Sequence, residues 1–129
     1  MLTIHILSFS YKKGLPVYNN EHGGGFIFDC RGLPNPGRID AYKELTGLDK
    51  DVADCLEDVT ETNTFLKAIT TTVSVNIDNY IDRGFSYLSI AFGCTGGQHR
   101  SVYCANKLAE ILQQKYPVIE IEVKHRELV

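Results

Sequence analysis

The sequence predicts an α/β fold, a small three-layer domain with a mostly parallel four-stranded sheet flanked by helices. Two observations predict it. Short β-branched and apolar runs alternate with helical patterns in the order β, β, α, α, α, β, α, β. The 129 residues, 43% hydrophobic and 22% charged, fit one domain with a core of its own. We therefore expect a single domain over residues 1–129.

Four segments have the composition of strands. The first three are short apolar runs, and Pro34 and Pro36 prevent the second from continuing. The last, "VIEIEVKH", alternates apolar and acidic residues, which is typical of an edge strand with one wet face. The predicted strands are Leu2–Phe9, Phe26–Cys30, Phe85–Gly93 and Val118–His125.

Two longer segments have apolar residues at intervals of three to four positions, which predicts amphipathic helices. These positions are Phe65, Ile69, Val73 and Ile77 in the first segment, and Val102, Ala105, Leu108 and Leu112 in the second. Gly84 ends the first helix, although its run Thr70–Thr72 favours strand, and the second ends before Pro117. Two shorter helical pieces are expected near Asp40–Leu45 and Lys50–Glu57.

Composition excludes several classes of protein. The formal net charge of −3 gives no global positive field to attract nucleic acid or anionic membrane, so any anion site must be local. The four cysteines form no C-x-x-C pair and no zinc-like spacing with the four histidines, so no metal or cofactor is predicted. No signal-peptide pattern and no membrane-spanning run is present. We therefore expect a cytoplasmic protein with free thiols and no membrane partner.

The segment "GCTGGQHRS" (93–101) carries the clearest functional pattern, because a strand ends there, a glycine-rich loop follows and a helix begins. In such a loop the backbone N–H groups point at one anion, and the helix N-terminus adds about half a positive charge. The planar guanidinium of Arg100 matches two phosphate oxygens. We therefore predict a phosphate-binding loop between the third strand and the last helix. Its predicted ligand contacts are Cys94, Thr95, Gly96, Gly97, Gln98, His99, Arg100 and Ser101.

Two other interpretations of this loop stay open. Cys94 and Arg100 have the C-x5-R-[S/T] spacing of cysteine-dependent phosphatases, in which a thiolate attacks phosphorus and the arginine clamps the phosphate. Gly93 stands where those enzymes usually carry histidine, and no aspartate lies in a recognisable acid loop. The loop could also be a plain structural turn. If the loop binds phosphate, Arg100→Ala lowers affinity about tenfold or more and changes stability little.

Four further residues should converge on the same place, because ligands of open α/β sheets bind outside the carboxyl ends of the strands. They are Asp29, Arg31, His125 and Arg126. We expect Arg31 and Arg126 to surround one anion together with Arg100. The alternatives are an ion pair between Asp29 and Arg31 that braces the following turn, and a solvated chain terminus at His125 and Arg126.

The chain resembles the RapZ C-terminal domain family of RNase adapter proteins, long known as P-loop nucleotide-binding proteins. Five motifs carry the resemblance in the same order and at similar spacing. They are "SFSYKKGLP" (Ser8–Pro16), "FDCRGLPNP" (Phe28–Pro36), "TGLD" (Thr46–Asp49), "GCTGGQHRSVY" (Gly93–Tyr103) and "HRE" (His125–Glu127). Together they cover nearly the whole chain.

The resemblance implies a fold similar to a phosphofructokinase subdomain and a regulatory module that binds glucosamine 6-phosphate and RNA, forms a homo-oligomer and catalyses no reaction of its own. Carried over by position, the phosphosugar contacts fall on Thr95, Gly96 and Arg100, with neighbouring backbone from Gly97 and His99. The basic side chains available for RNA are Lys12, Lys13, Arg31, Arg38, Lys124 and Arg126.

Three departures limit what the resemblance implies. These residues contain no Walker A motif, so nucleotide binding of that type is not carried over. Gly37 replaces the histidine that follows "LPNP" in the family, which removes one sugar-site donor. The family's lysine- and arginine-rich segment also does not occur within these residues. The phosphate loop itself is intact.

Overall fold

The computed structural model describes residues 1–128 and has the predicted α/β architecture. Its strands are β1 (Thr3–Ser10), β2 (Gly25–Asp29), β3 (Tyr87–Cys94) and β4 (Glu120–His125). They form one sheet in the order β2-β3-β1-β4, and every pairing is parallel. The sheet is therefore wholly parallel, and β4 is an edge strand, as its alternating sequence predicts.

The helices are α1 (Lys50–Glu57), α2 (Thr60–Asp82) and α3 (Arg100–Lys115), and single 3-10 turns span Tyr11–Lys13, Pro36–Arg38 and Asp40–Tyr42. α2 begins before Phe65 and continues through Thr70–Thr72, because its apolar face, with Ile69 and Val73, is buried in the core. Each of these threonine hydroxyls donates a hydrogen bond to the carbonyl four residues earlier. The helix predicted over Asp40–Leu45 is only the last of the 3-10 turns. No helix in the described residues is long and apolar enough to cross a membrane.

One apolar cluster holds the sheet to all three helices. The sheet contributes Ile4, Ile6, Leu88, Ile90 and Phe92, and the helices contribute Val52, Leu56, Leu66, Val73, Leu108 and Leu112. Since strand residues alternate between faces, these strand residues share one side of the sheet, and the helices cover that side. On the other side, the ring of Tyr87 lies 5.6 Å from the ring of His22 in the segment between β1 and β2. Helices, sheet and this segment are the three layers.

Parallel pairing brings the carboxyl ends of all four strands to one edge of the sheet. In the register of the sheet, Ser10 of β1 lies beside Cys94 of β3, and Ser8 lies beside His125 of β4. The predicted site residues come from three separate parts of the chain, and they therefore all lie at this edge.

Candidate functional site

The loop between β3 and α3 depends on two of its glycines for packing and conformation. A β-carbon on Gly93 would lie 2.5 Å from ring atoms of both Phe9 and Tyr11, so any side chain there, including the histidine of cysteine phosphatases, requires these rings to move. Gly97 has φ +66°, a left-handed conformation that favours glycine. Gly96 has open space around its α-carbon. Its backbone is therefore free to meet a ligand.

A cavity of about 220 Å³ lies between this loop and the turn that follows β2. Its lining is Asn35, Gly37, Cys94, Thr95, Gly96, Gln98, His99 and Arg100. Six of the predicted contact residues therefore line one cavity. The predicted residues that do not line this cavity are Gly97, Ser101, Asp29, Arg31, His125 and Arg126.

Arg100 begins α3, and its side chain is almost completely buried. The residue is 6% exposed, and its Nη1 donates hydrogen bonds to the backbone carbonyls of Arg31 (2.9 Å) and Leu33 (3.1 Å). Its Nε has no hydrogen-bond partner among residues 1–128, and no carboxylate there lies within ion-pair distance. A buried charge without a counter-charge is costly, and an anion in the adjoining cavity would supply the counter-charge.

Gln98 and His99 are held by the segment that precedes α1. The Gln98 side-chain amide donates to the carbonyls of Lys43 (2.9 Å) and Leu45 (2.7 Å). His99 Nε2 lies 2.9 Å from the carbonyl oxygen of Tyr42. Because a carbonyl only accepts, Nε2 carries the proton when the ring is neutral, and Nδ1 is then an acceptor. This Nδ1 is 3.1 Å from where a β-carbon of Gly37 would lie, so it borders the cavity.

The "TGLD" turn (Thr46–Asp49) packs against the start of α3. The backbone N–H of Gly47 donates to the Gln98 carbonyl (2.9 Å). A β-carbon on Gly47 would lie 2.4 Å from the His99 carbonyl oxygen and 2.5 Å from the Tyr103 nitrogen. The turn therefore fixes the end of the loop through backbone contact that only glycine permits.

The thiol of Cys94 lies under the loop. Cys94 is 2% exposed, and its Sγ is 3.1 Å from the Ser101 hydroxyl. Cys94 belongs to the apolar core together with Cys30 and Cys104, and all three are free cysteines. Hydrogen bonding to Cys104 and burial raise the pKa of the Cys30 thiol well above its usual range, so that thiol is neutral. No aspartate or glutamate of the described residues lines the cavity, so no general acid adjoins Cys94.

Asp29 and Arg31 form the local ion pair that is one of the two interpretations of these residues. Arg31 Nη2 lies 2.7 Å from Asp29 Oδ2, and Arg31 Nε lies 2.9 Å from Asp29 Oδ1. The Arg31 guanidinium also stacks on the Tyr11 ring at 3.9 Å. The hydrogen bonds from Arg31 hold the pKa of the Asp29 carboxyl below its usual range. Both side chains are about half exposed, so the pair braces the turn after β2 at the rim of the site.

The segment after β4 is tied to β1 and is not a free solvated terminus. His125 Nδ1 lies 2.6 Å from the Ser8 hydroxyl. Arg126 Nη2 donates to the carbonyls of Ser10 (3.2 Å) and Gly14 (2.9 Å). The Arg126 side chain also pairs with Glu127 at 2.8 Å. Of the three arginines expected around one anion, only Arg100 lines the cavity.

Asn35 lines the cavity but is not among the contacts predicted from the sequence, and Gly37 was expected only as the position that lacks the family's sugar-site histidine. Asn35 Oδ1 accepts the Gly37 N–H at 3.0 Å, which is the Asx-turn that an Asn-Pro-Gly sequence favours, so this signal was available. Glu127 was not predicted as a site residue, because its contacts to Ser10 and Gly97 join distant parts of the chain.

Comparison with known proteins places the chain among bacterial relatives. The RapZ C-terminal domain profile matches residues 2–129. A nucleotide-binding protein of Lactobacillus acidophilus is 41% identical over 126 residues, covering 98% of this chain and 40% of that protein. One from Lactobacillus delbrueckii subsp. bulgaricus is 42% identical over 125 residues, covering 97% and 40%. One from Thermotoga neapolitana is 38% identical over 128 residues, covering 98% and 43%.

The chain thus spans about two fifths of the length of these relatives. The match extends over almost every residue of the chain, including the loop, the "LPNP" turn and the "HRE" segment. The chain belongs to the RapZ C-terminal domain family.

Proposed function

We propose that this domain binds a phosphorylated small molecule of the amino-sugar phosphate class, such as glucosamine 6-phosphate, in the cavity beside residues 94–101. In this proposal the domain is a sensing module, and it catalyses no reaction of its own. Arg100 and the amide of Gly96 hold the phosphate, and the sugar lies toward Asn35 and His99.

The observation that carries the proposal is the state of Arg100. Its charge is buried at 6% exposure, two backbone carbonyls orient it, and its Nε has no partner among the described residues. An arginine that served only packing would be expected to have a carboxylate partner or solvent access. Arg100 lines a cavity whose other walls include the Gly96 backbone and Thr95.

The size and polarity of the cavity favour a small ligand over a nucleotide. About 220 Å³ is below the range of roughly 300–1,000 Å³ that pockets for drug-sized ligands occupy. The Nδ1 of His99 is an acceptor when neutral, which suits a hydroxyl or ammonium group next to the phosphate. The relatives are named nucleotide-binding proteins, and the chain spans only about two fifths of them.

Titration of the ¹⁵N-labelled chain with glucosamine 6-phosphate, glucose 6-phosphate, glucosamine and adenosine monophosphate tests the proposal. Shifts of the Gly96, Gly97 and Arg100 amides with both sugar phosphates, and not with glucosamine, would support it. Arg100→Gln should remove these shifts, whereas Arg83→Gln, which changes an exposed arginine at the opposite edge of the sheet, should not. The absence of shifts at millimolar sugar phosphate would refute it.

RNA binding is a second candidate, favoured by the position of the basic side chains. Lys12, Lys13, Arg31, Lys124 and Arg126 all lie at the carboxyl edge of the sheet. Three of them already pair with carboxylates of the described residues, so they add little net charge. RNA affinity that falls steeply with salt would support this function, and no retention at low salt would exclude it.

A homo-oligomer also stays a prediction, which light scattering tests.

A further inference from the structure

A buried carboxylate lies on the side of the loop opposite the cavity. The Glu127 side chain is 9% exposed, and its Oε2 accepts hydrogen bonds from the backbone N–H of Ser10 (2.8 Å) and from Arg126 Nε (2.9 Å). Lys13 Nζ is 3.8 Å from Oε1. Burial alone would raise the pKa of Glu127, but these hydrogen bonds and charges outweigh burial and lower it. The carboxylate is therefore ionised at neutral pH.

Glu127 and Ser10 touch the loop directly at Gly97. A β-carbon on Gly97 would lie 2.6 Å from Glu127 Cγ and 2.9 Å from the Ser10 nitrogen. With φ at +66°, the Gly97 backbone packs directly against these two residues. The pair of Glu127 and Ser10 thus forms the wall that supports the loop from the side of β1.

Ser10 transmits this support to the peptide group that faces the cavity. Its hydroxyl donates a hydrogen bond of 2.6 Å to the Thr95 carbonyl oxygen. All peptide bonds are trans in the described residues, so the Thr95 carbonyl and the Gly96 N–H point in opposite directions. β2 and β1 lie on opposite sides of β3, and the cavity wall formed by Asn35 and Gly37 follows β2. Holding the Thr95 carbonyl toward Ser10 therefore turns the Gly96 N–H toward the cavity.

We propose that Glu127 is a positioning residue for the anion site: acting through Ser10, it fixes the Thr95–Gly96 peptide so that the Gly96 N–H faces the ligand. This inference rests on the proposed function and adds a residue to it. Its expected effect on anion affinity is also opposite to the effect of charge repulsion alone. A carboxylate near an anion site repels the anion, so removing Glu127 should strengthen binding if charge were its only effect.

The test uses the full chain and inorganic sulfate, whose charge is constant near neutral pH, with affinity measured from ¹⁵N amide shifts. Glu127→Ala should weaken sulfate binding about fivefold, the effect of one misdirected hydrogen bond. Glu127→Gln should retain nearly the wild-type affinity, because its carbonyl oxygen still accepts the Ser10 N–H. The control Glu122→Ala removes an exposed carboxylate of β4 and should leave affinity unchanged.

Ser10→Ala provides an independent variant that keeps the pair between Glu127 and Arg126. It should weaken sulfate binding to a similar extent, and the double variant of Ser10 and Glu127 should lose no more than either single variant. Wild-type affinity in Ser10→Ala, or additive losses in the double variant, would overturn the route through Ser10 even if Glu127→Ala does not fold.

The outcomes separate this inference from the proposed function. If the wild type binds sulfate and Glu127→Ala binds it equally or more tightly, the positioning role is wrong and the anion site stands. If the wild type binds neither sulfate nor sugar phosphates, the proposed function and the positioning role of Glu127 are both wrong. Melting curves of every variant show whether the comparison is made between folded proteins.

Discussion

Arg100 Nη1 donates a 3.1 Å hydrogen bond to the backbone carbonyl of Leu33, so the residue that faces the cavity also holds the turn after β2. From the sequence, Arg100→Ala is expected to change stability little if the loop binds phosphate. With a second bond to the Arg31 carbonyl, the same guanidinium joins α3 to the "RGLPNP" turn. If the cavity binds the proposed ligand, binding and the conformation of this turn are therefore coupled through one side chain.

Arg100→Ala should consequently lower both ligand affinity and stability. Sugar phosphate affinity should fall at least about tenfold, because charge-assisted hydrogen bonds contribute about 1.5–3 kcal/mol each. Two carbonyls also lose their donor, so the free energy of unfolding should drop by about 1–3 kcal/mol. Arg100→Lys should recover part of the affinity, since an ammonium lacks the planar fork. Calorimetry and urea unfolding measure the two effects, and unchanged stability would contradict the role in the turn.

Gly47→Ala should destabilise the domain by about 1–3 kcal/mol, as expected for overpacking. The new β-carbon would lie 2.4 Å from the His99 carbonyl oxygen, and backbone must move to accept it. Gly32→Ala is the matched control, because the same group at Gly32 meets no atom within 4 Å. Urea unfolding of the two variants gives the difference. Equal stability of Gly47→Ala and Gly32→Ala would show that the "TGLD" turn does not hold the start of α3.

The fold could be predicted from the sequence because most elements have long, consistent apolar periodicity. The edge position of β4 followed from its alternating acidic residues, and the start of α3 followed from the glycine-rich loop before it. The segment Asp40–Leu45 could not be assigned correctly, because its structure depends on tertiary contact. The carbonyls of Lys43 and Leu45 accept hydrogen bonds from the side chain of Gln98, which lies in a distant loop.

The candidate site was predictable in position and less so in the roles of its residues. Of the residues that loop chemistry indicated, Thr95, Gly96 and Arg100 line the cavity, whereas Gly97 and Ser101 do not. Gln98 uses its side chain to bind backbone elsewhere, and a sequence cannot show which partner such an amide selects. Glu127 lies 117 residues from its partner Ser10, so no spacing rule could join them.

Stability should depend on pH through His125. Burial lowers its pKa from the usual 6.5. The unfolded chain therefore binds more protons between the two pKa values, so stability is complete above about pH 6.5 and falls as pH decreases below that value. Urea unfolding between about pH 5 and 8 should show this loss in the wild type and less of it in His125→Gln. Exposed His22 offers a control, and an equal effect of His22→Gln would contradict the assignment.

Substitution of Cys94 distinguishes a loop that only binds phosphate from the active-site loop of a phosphatase. Its Sγ is buried beside the Ser101 hydroxyl, and no carboxylic acid of the described residues lines the cavity to protonate a leaving group. Cys94→Ser should therefore keep sugar phosphate affinity within a few-fold, because backbone amides and Arg100 hold the phosphate. Neither the wild type nor Cys94→Ser should hydrolyse an aryl phosphate between about pH 5 and 8. Turnover by the wild type that Cys94→Ser abolishes would instead establish Cys94 as a nucleophile and the loop as an active site.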